Sequence, residues 1–247
     1  MQKKPELNLD GNQKLISKVL LKKWCSQIIK LFLILFSKKV TKKIFIAGQE
    51  GMVGTAVLKI LSKKKNYKII KCKRSDLNLV NQKEVYSWFK KNKPDVVINA
   101  AGRVGGIMDN ANYIDEYIYI NTMIGFNLLN ASHTNNVKKF INLGSACIYP
   151  RNSKQPIKEK YLLSSKLEKT NEGYALAKIS TLKYCEYINK MYGKDYISFQ
   201  PANLYGEGDN FDLKSSHVIP ALIKKFHYAK INKKKIVEVW GSGNVKR

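Results

Sequence analysis

A tyrosine and a lysine four residues apart, Tyr174 and Lys178, have the types and spacing suited to proton transfer. They open a stretch with helical periodicity, and a four-residue spacing places both side chains on one helix face. A phenol normally keeps its proton near neutrality, whereas a neighbouring ammonium favours the phenolate. Such a tyrosine can exchange a proton with a carbonyl or an alcohol. Ser145, which follows a predicted buried strand, would hold the substrate oxygen beside it.

The tyrosine and lysine spacing alone is common on surface helices, so the elements around it decide its meaning. An apolar run at 43–47 leads into a turn with three glycines and then into a helix-periodic stretch that ends at Leu61. Glycines there permit a tight turn, bring backbone N–H groups close to a pyrophosphate and let the helix pack on the strand. The N-terminus of the helix faces the phosphate charge. We therefore predict nucleotide binding by the whole turn, which comprises Gly48, Gln49, Glu50, Gly51, Met52, Val53 and Gly54.

Strands and helices continue to alternate after this turn. Apolar strands are predicted at 67–71, 96–99 and 140–143, with helical patterns between them. Such alternation predicts an α/β fold of the Rossmann type, a doubly wound parallel sheet with right-handed crossovers and a ligand at the carboxyl ends of the strands. Arg74 follows the strand at 67–71, where a basic residue suits the 2′-phosphate of NADP, although a base after a strand is as often simply solvated.

The composition of the chain indicates which kinds of ligand and which compartment suit it. The net charge is +27, but only four of the forty-five basic residues are Arg, and the bases are spread along the chain without a recognisable nucleic-acid-reading motif. We therefore predict no nucleic-acid partner, and an attraction to anions that includes nucleotide sugars. The four cysteines show no spacing typical of disulfides, which favours a reducing, cytoplasmic setting. No metal site is predicted.

Residues 1–42 form a separate segment. Lys14, Lys18 and Lys22 recur at four-residue spacing opposite apolar residues, a pattern typical of a basic amphipathic helix. Its most apolar stretch, 28–36, is too short to cross a bilayer. The pattern predicts peripheral contact with a membrane or a partner, or else a segment without a role in the chemistry.

The serine, the tyrosine and lysine pair and the glycine turn together make this chain resemble the extended short-chain dehydrogenase/reductase family. Further stretches are similar to the GDP-L-fucose synthase group of that family, and the resemblance covers 43–247. These stretches are 104–107, 143–150, 200–206, 209–211, 216–222 and 239–243. The resemblance implies an enzyme that uses NADPH, epimerises C3 and C5 of GDP-4-keto-6-deoxy-D-mannose and then reduces C4. Another nucleotide-sugar epimerase or dehydratase is the alternative.

The resemblance also implies residue roles. Cys147 and His217 would exchange the C3 and C5 protons, which are acidic because they lie next to the C4 ketone. Tyr174 would protonate the C4 oxygen, and Lys178 would also hold the nicotinamide ribose. Without the resemblance, Cys147 would more often be a small buried hydrophobe and His217 a satisfied polar group.

Binding residues follow from the same resemblance. Outside the glycine turn, the implied cofactor contacts are Arg74, Asp76, Leu143, Gly144, Ser145, Ala146, Lys178, Pro201, Ala202, Asn203, Leu204 and His217. The implied GDP-sugar contacts are Lys225, Trp240 and Arg247, where cations meet phosphate and an aromatic face meets the sugar or base.

Two features depart from the family pattern. Glu50 stands where the family commonly has a base, and its charge would repel a 2′-phosphate, so we predict NADP(H) with NAD(H) as the alternative cofactor. The family also continues past the position of Arg247. We therefore expect a nucleotide-binding domain at 43–200 and an apparently truncated substrate lobe at 201–247, with an inactive cofactor-binding fragment as a further alternative. Related enzymes are dimers, which predicts a homodimer.

Overall fold

A computed structural model describes residues 6–8 and 42–239 of the chain. The strands are β1 (Glu6–Asn8), β2 (Lys42–Ala47), β3 (Tyr67–Ile70), β4 (Val96–Asn99), β5 (Lys139–Leu143), β6 (Asp195–Phe199) and β7 (Ile236–Glu238). The helices are α1 (Met52–Leu61), α2 (Gln82–Asn92), α3 (Ile107–Asn112), α4 (Ile114–Thr134), α5 (Glu172–Tyr192) and α6 (Val218–Ile231).

Five of these strands form one parallel sheet in the order β3-β2-β4-β5-β6. The chain begins the sheet at β2, moves outward to β3 and then crosses back to β4, so the strand order reverses beside β2. Such a reversal opens a crevice at the carboxyl ends of the strands, where ligands of doubly wound folds bind. The predicted α/β fold with a parallel sheet is confirmed.

The strands are apolar because both faces of the sheet are covered. Side chains alternate along each strand, so Phe45 and Val97 point to one face while Ile44, Ile46 and Ile98 point to the other. The first face packs against α2, α4 and α5, and the second against α1.

The helix ends follow local chemistry. At the start of α2, the Asn81 side chain accepts a hydrogen bond from the Glu84 N–H, and the Glu84 carboxylate accepts one from the Asn81 amide, which is a reciprocal cap. At its end, α5 stops at Gly193, whose φ of 60° lies in the left-handed region that glycine adopts readily. These caps end two helices that pack on the same face of the sheet.

Two helices follow β4, a short one and a long one. The short α3 ends at Asn112 and α4 begins at Ile114, with Tyr113 at a φ of −130° between them. This φ lies outside the helical range, so the chain bends at this residue.

Some expectations concern other parts of the chain. The predicted amphipathic helix lies outside the described residues. In the same N-terminal segment, residues 6–8 form β1 and pair antiparallel with β7. Trp240 and Arg247 also lie outside them. Within 6–8 and 42–239, every helix is too short or too polar to cross a membrane.

Candidate active site

The tyrosine and lysine predicted to carry the chemistry lie in the first two turns of α5. The Lys178 ammonium is 5.5 Å from the centre of the Tyr174 ring. Lys178 is buried, and its ammonium donates a hydrogen bond of 2.9 Å to the Leu143 carbonyl at the end of β5. Burial lowers the pKa of Lys178 to about 8, because an ammonium is less stable away from water.

Ser145 comes directly after β5 and reaches the same tyrosine. Burial raises the pKa of Tyr174 above its ordinary value, the charge of Cys147 raises this pKa further, and a hydrogen bond from the Ser145 side chain lowers it. The structure therefore brings a hydroxyl, a phenol and a thiol together beside the buried ammonium. This arrangement suits proton transfer to an oxygen held by the serine.

A single helical turn at 146–148 places Cys147 against Ser145. The Cys147 N–H donates to the Ser145 Oγ over 3.2 Å, which caps the turn. The Ser145 N–H in turn donates to the Gln200 Oε1 over 2.9 Å. The serine is thus held on both sides, and Cys147 remains partly exposed.

The glycine turn between β2 and α1 has the geometry of a phosphate cradle. Gly48 has a φ of 79°, and a Cβ on Gly54 would lie 1.9 Å from the Gly48 carbonyl oxygen, so both positions require glycine. A Cβ on Gly51 would meet only that same oxygen, at an ordinary 3.4 Å. The Gln49 Oε1 is buried without a hydrogen-bond partner among the described residues. An open backbone at Gly51 beside an unsatisfied polar atom fits a dinucleotide ligand.

Carboxylates surround the predicted ribose-reading position after β3. The Arg74 N–H donates to the Glu50 carboxylate over 3.0 Å, and the Lys73 N–H donates to the Asp76 carboxylate over 2.9 Å. Burial raises the pKa of the neighbouring Cys72 thiol, and the charges of Asp76 and Glu50 raise this pKa further. Two carboxylates therefore hold the backbone of Lys73 and Arg74 at this edge of the site.

His217 lies at the N-terminus of α6, in a segment that contacts the loop after β4. The Gly106 N–H donates to the Ser215 carbonyl over 2.7 Å. At the other end of that loop, a Cβ on Gly102 would lie 3.8 Å from the Lys178 ammonium. Loop 102–106 thus joins the segment before His217 to the buried lysine.

The other predicted binding residues occupy several places. The Pro201 carbonyl accepts a hydrogen bond from the Ala146 N–H, while Ala202 and Asn203 are exposed and Leu204 is half-buried. The Lys225 ammonium donates to the Glu238 carbonyl over 3.1 Å, which joins α6 to β7.

Sequence reasoning missed a group of polar residues beneath the site. Tyr117 lies 6.2 Å from the Tyr174 ring in an edge-on contact, and its hydroxyl donates to the Asp109 carboxylate over 2.5 Å. The buried side chains Asn99 and Asn142 lie side by side at the ends of β4 and β5. A signal for these two was present, since each central strand is an apolar run that closes with, or next to, an asparagine.

Comparison with known proteins agrees with this geometry. The chain matches the NAD dependent epimerase/dehydratase family over residues 44–247. It is 46% identical over 206 residues to the GDP-L-fucose synthase of Escherichia coli K12, an alignment that covers 83% of this chain and 64% of that relative. It is 43% identical to the GDP-L-colitose synthase of Yersinia pseudotuberculosis, covering 83% of this chain and 67% of that relative.

A solved structure shares the fold. A GDP-L-fucose synthetase from Naegleria fowleri bound to NADP matches with a TM-score of 0.76 and 29% identity, covering 84% of this chain and 68% of the other. The chain spans slightly less than two thirds of the E. coli relative. The family match covers more than half of the chain. The chain therefore belongs to the NAD dependent epimerase/dehydratase family.

Proposed function

We propose that this chain carries the catalytic centre of a GDP-sugar epimerase and reductase, which converts GDP-4-keto-6-deoxy-D-mannose to GDP-L-fucose with NADPH. The observation that carries the proposal is the grouping of Ser145, Cys147 and Tyr174 beside the buried Lys178. The names of the relatives, a GDP-L-fucose synthase and a GDP-L-colitose synthase, support a GDP-linked sugar as substrate.

The reduction needs a proton at the C4 oxygen, and the bound nicotinamide supplies the hydride. Tyr174 donates that proton, and the Ser145 hydroxyl holds the oxygen during the transfer. Lys178 lies close enough to stabilise the phenolate that remains. Because the ammonium is anchored on the Leu143 carbonyl, its position does not depend on the substrate.

The epimerisation needs groups that remove and return protons at C3 and C5. Both protons are acidic because the neighbouring ketone stabilises the enolate. The Cys147 backbone N–H bonds to the serine that would hold the ketone oxygen, and this proximity supports a role for the Cys147 thiol at one of the two carbons. His217 supplies the second group from the N-terminus of α6. A thiol and an imidazole can each release and take up a proton, which suits this exchange.

The glycine turn would hold the cofactor, and the open backbone at Gly51 and the N-terminus of α1 would bind its pyrophosphate. Arg74 provides a positive charge for a 2′-phosphate. The NADP bound to the Naegleria relative supports this choice. Lys178 would meet the nicotinamide ribose.

The direct test mixes the purified chain with NADPH and GDP-4-keto-6-deoxy-D-mannose in D2O. We expect oxidation of the cofactor, a GDP-L-fucose product and deuterium at C3 and C5. Tyr174→Phe should slow cofactor oxidation by about 10²- to 10⁴-fold and leave deuterium exchange in place. Cys147→Ser should lose exchange at one of the carbons or both. A chain that neither binds nor oxidises NADPH would refute the proposal.

A second candidate substrate is another GDP-4-keto sugar. The Yersinia relative named a colitose synthase is nearly as similar as the E. coli relative named a fucose synthase, which supports a second GDP-linked sugar as a candidate. Steady-state kinetics with each keto sugar separates these candidates, because the true substrate should give the higher kcat/KM.

The assembled enzyme is proposed to be a cytoplasmic homodimer. Large apolar side chains are exposed on neighbouring helices, Phe126 on α4 and Tyr187 and Met191 on α5, and a second copy would cover them. The described cysteines are free thiols, which suits a reducing compartment. Analytical ultracentrifugation should find a dimer that Met191→Glu weakens, whereas a monomer at all concentrations would exclude it.

A further inference from the structure

Side-chain hydrogen bonds form a chain across the carboxyl ends of three strands. The Asn99 amide donates to the Asn142 Oδ1 over 3.0 Å, and the Asn142 amide donates to the Ser198 Oγ over 3.0 Å. These residues are neighbours in the sheet register, one each on β4, β5 and β6. The Gln200 amide also donates to the Ser198 Oγ, over 3.0 Å. We call these four residues the amide chain.

Both ends of the amide chain hold backbone N–H groups. At one end the Asn99 Oδ1 accepts from the Ala101 N–H over 3.2 Å, and at the other the Gln200 Oε1 accepts from the Ser145 N–H over 2.9 Å. The amide chain therefore connects the loop after β4 to the residue that holds the substrate oxygen.

The centre of the amide chain is deeply buried. Asn99 and Asn142 are 2% and 0% exposed. Buried amides are costly unless their donors and acceptors are paired, and here the bonds to neighbouring side chains meet that demand. Apolar side chains at these positions would need no hydrogen-bond partners. The amides therefore contribute a defined geometry more than net stability.

The backbone of Ser145 needs this support because of where its N–H points. The Gly144 and Ala146 N–H groups bond to the Phe199 and Pro201 carbonyls, which extends the pairing of β5 with β6 past the strand ends. By alternation, the Ser145 N–H faces away from β6, toward the side where β4 has already ended. A side chain must supply its acceptor.

Gly144 gives Gln200 the room to reach that N–H. A Cβ on Gly144 would lie 2.1 Å from the Gln200 Oε1 and 2.7 Å from its Cδ. The carboxamide thus occupies the space that any other residue at 144 would fill. Gly144 therefore extends the pairing of β5 with β6 through its N–H and also leaves space for the Gln200 carboxamide.

We propose that the amide chain positions Ser145, so that Asn99, Asn142, Ser198 and Gln200 are positioning residues for proton transfer to the sugar oxygen. The catalytic consequence rests on the proposed function, since it assigns the substrate oxygen to Ser145. The structural consequence does not, because it concerns only the Ser145 backbone. The two can be measured separately.

The first experiment compares Gln200→Ala with Asn189→Ala in the full chain. Asn189 makes two hydrogen bonds to the backbone of Tyr196, at the opposite end of β6, and so serves as a control for the loss of an amide that holds β6. We expect Gln200→Ala to lower kcat by about 10- to 100-fold with little change in the Kd for NADPH. Asn189→Ala should change neither. Equal loss of kcat in both variants would overturn the proposal.

The second experiment needs no substrate. Amide hydrogen exchange at 144–147 should be slow in the unmodified chain and faster in Gln200→Ala, with the exchange of α1 unchanged. Unchanged exchange at 144–147 would overturn the proposal even if kcat fell. A chain without turnover would refute the proposed function, and this measurement would still decide the role of the amide chain.

A third comparison uses Gly144→Ala. This substitution should expel the Gln200 carboxamide and speed the same exchange. Because both changes break the same hydrogen bond, the double variant Gly144→Ala/Gln200→Ala should be no worse than the more affected single one. Ser198→Thr, which keeps the hydroxyl, should retain slow exchange, and Ser198→Ala should lose it. Additive effects in the double variant would contradict a shared bond.

Discussion

Lys178 shows how burial gives a residue a pH-dependent role. Its pKa is lowered from 10.5 to about 8 in the folded chain, so between these values the unfolded chain binds more protons. Below pH 8 the buried ammonium therefore lowers the free energy of unfolding by its full amount. Between pH 8 and 10.5 the free energy of unfolding rises as the pH increases.

We expect Lys178→Met to remove that rise. Between pH 7.5 and 9.5 the lysine should add about 2 kcal/mol to the free energy of unfolding, and the variant should lack this increment. Urea unfolding at both pH values measures it, with the exposed Lys190→Met as the control. Parallel pH curves for the unmodified chain and Lys178→Met would contradict the role of burial.

Glu50 gives a second prediction for a single residue. Its carboxylate accepts the Arg74 N–H at the place where a 2′-phosphate would bind, and so opposes that phosphate. Glu50→Gln keeps an acceptor oxygen and removes the charge. We expect the Kd for NADPH to fall several-fold and the Kd for NADH to change little, as measured by calorimetry.

The control for that substitution is Glu186→Gln, which removes an equal charge from the far part of α5. It should leave both dissociation constants nearly unchanged, since a distant exposed charge is screened. An equal gain for NADPH and NADH in Glu50→Gln would show that the carboxylate does not distinguish the two cofactors.

Two glycines of the turn have different functions, Gly54 in packing and Gly51 in cofactor binding. The Gly54 position is closed by the Gly48 carbonyl at 1.9 Å, whereas Gly51 is open. Gly54→Ala should therefore lower the free energy of unfolding by about 1–3 kcal/mol or more, because overpacking here forces the backbone apart. Gly51→Ala should keep the stability and weaken NADPH binding, since its methyl group would stand where the pyrophosphate approaches.

Urea unfolding and a cofactor titration on the two glycine variants check this division. A Gly54→Ala variant with an unchanged free energy of unfolding would refute the packing function of Gly54. A Gly51→Ala variant with unchanged NADPH affinity would refute the binding function of Gly51.

At the scale of elements, the sequence predicts most of what positions the site. The apolar runs of β2, β4 and β5 and the glycines after β2 predict the parallel sheet, because buried strands and tight turns have local signatures. The break at Tyr113 and the amide chain are not local. Asn99 and Asn142 are separated by more than forty residues, and only the register of the sheet makes them neighbours. The roles of Cys147 and His217 in proton exchange at C3 and C5 were inferred from the family resemblance, and they stay predictions.

The whole molecule carries a net charge of +27, which should attract its anionic ligands. We expect the KM for the nucleotide sugar to rise several-fold as salt is increased, because screening weakens this attraction, while kcat stays nearly constant. Steady-state kinetics in a salt series, with a neutral sugar at matched osmolality as the control, measures the effect. A KM independent of salt would show that the charge is irrelevant to binding.

The bond between the Lys178 ammonium and the Leu143 carbonyl has a consequence for how such an enzyme can change. It fastens the reactive end of α5 to the central strand, so a variant that shifts this helix to admit a different sugar would also disconnect its own lysine. New substrates must then be accommodated elsewhere, in the segments 102–106 and 201–217. Directed evolution toward other sugars should therefore accumulate substitutions in those segments and spare the contact between helix and strand.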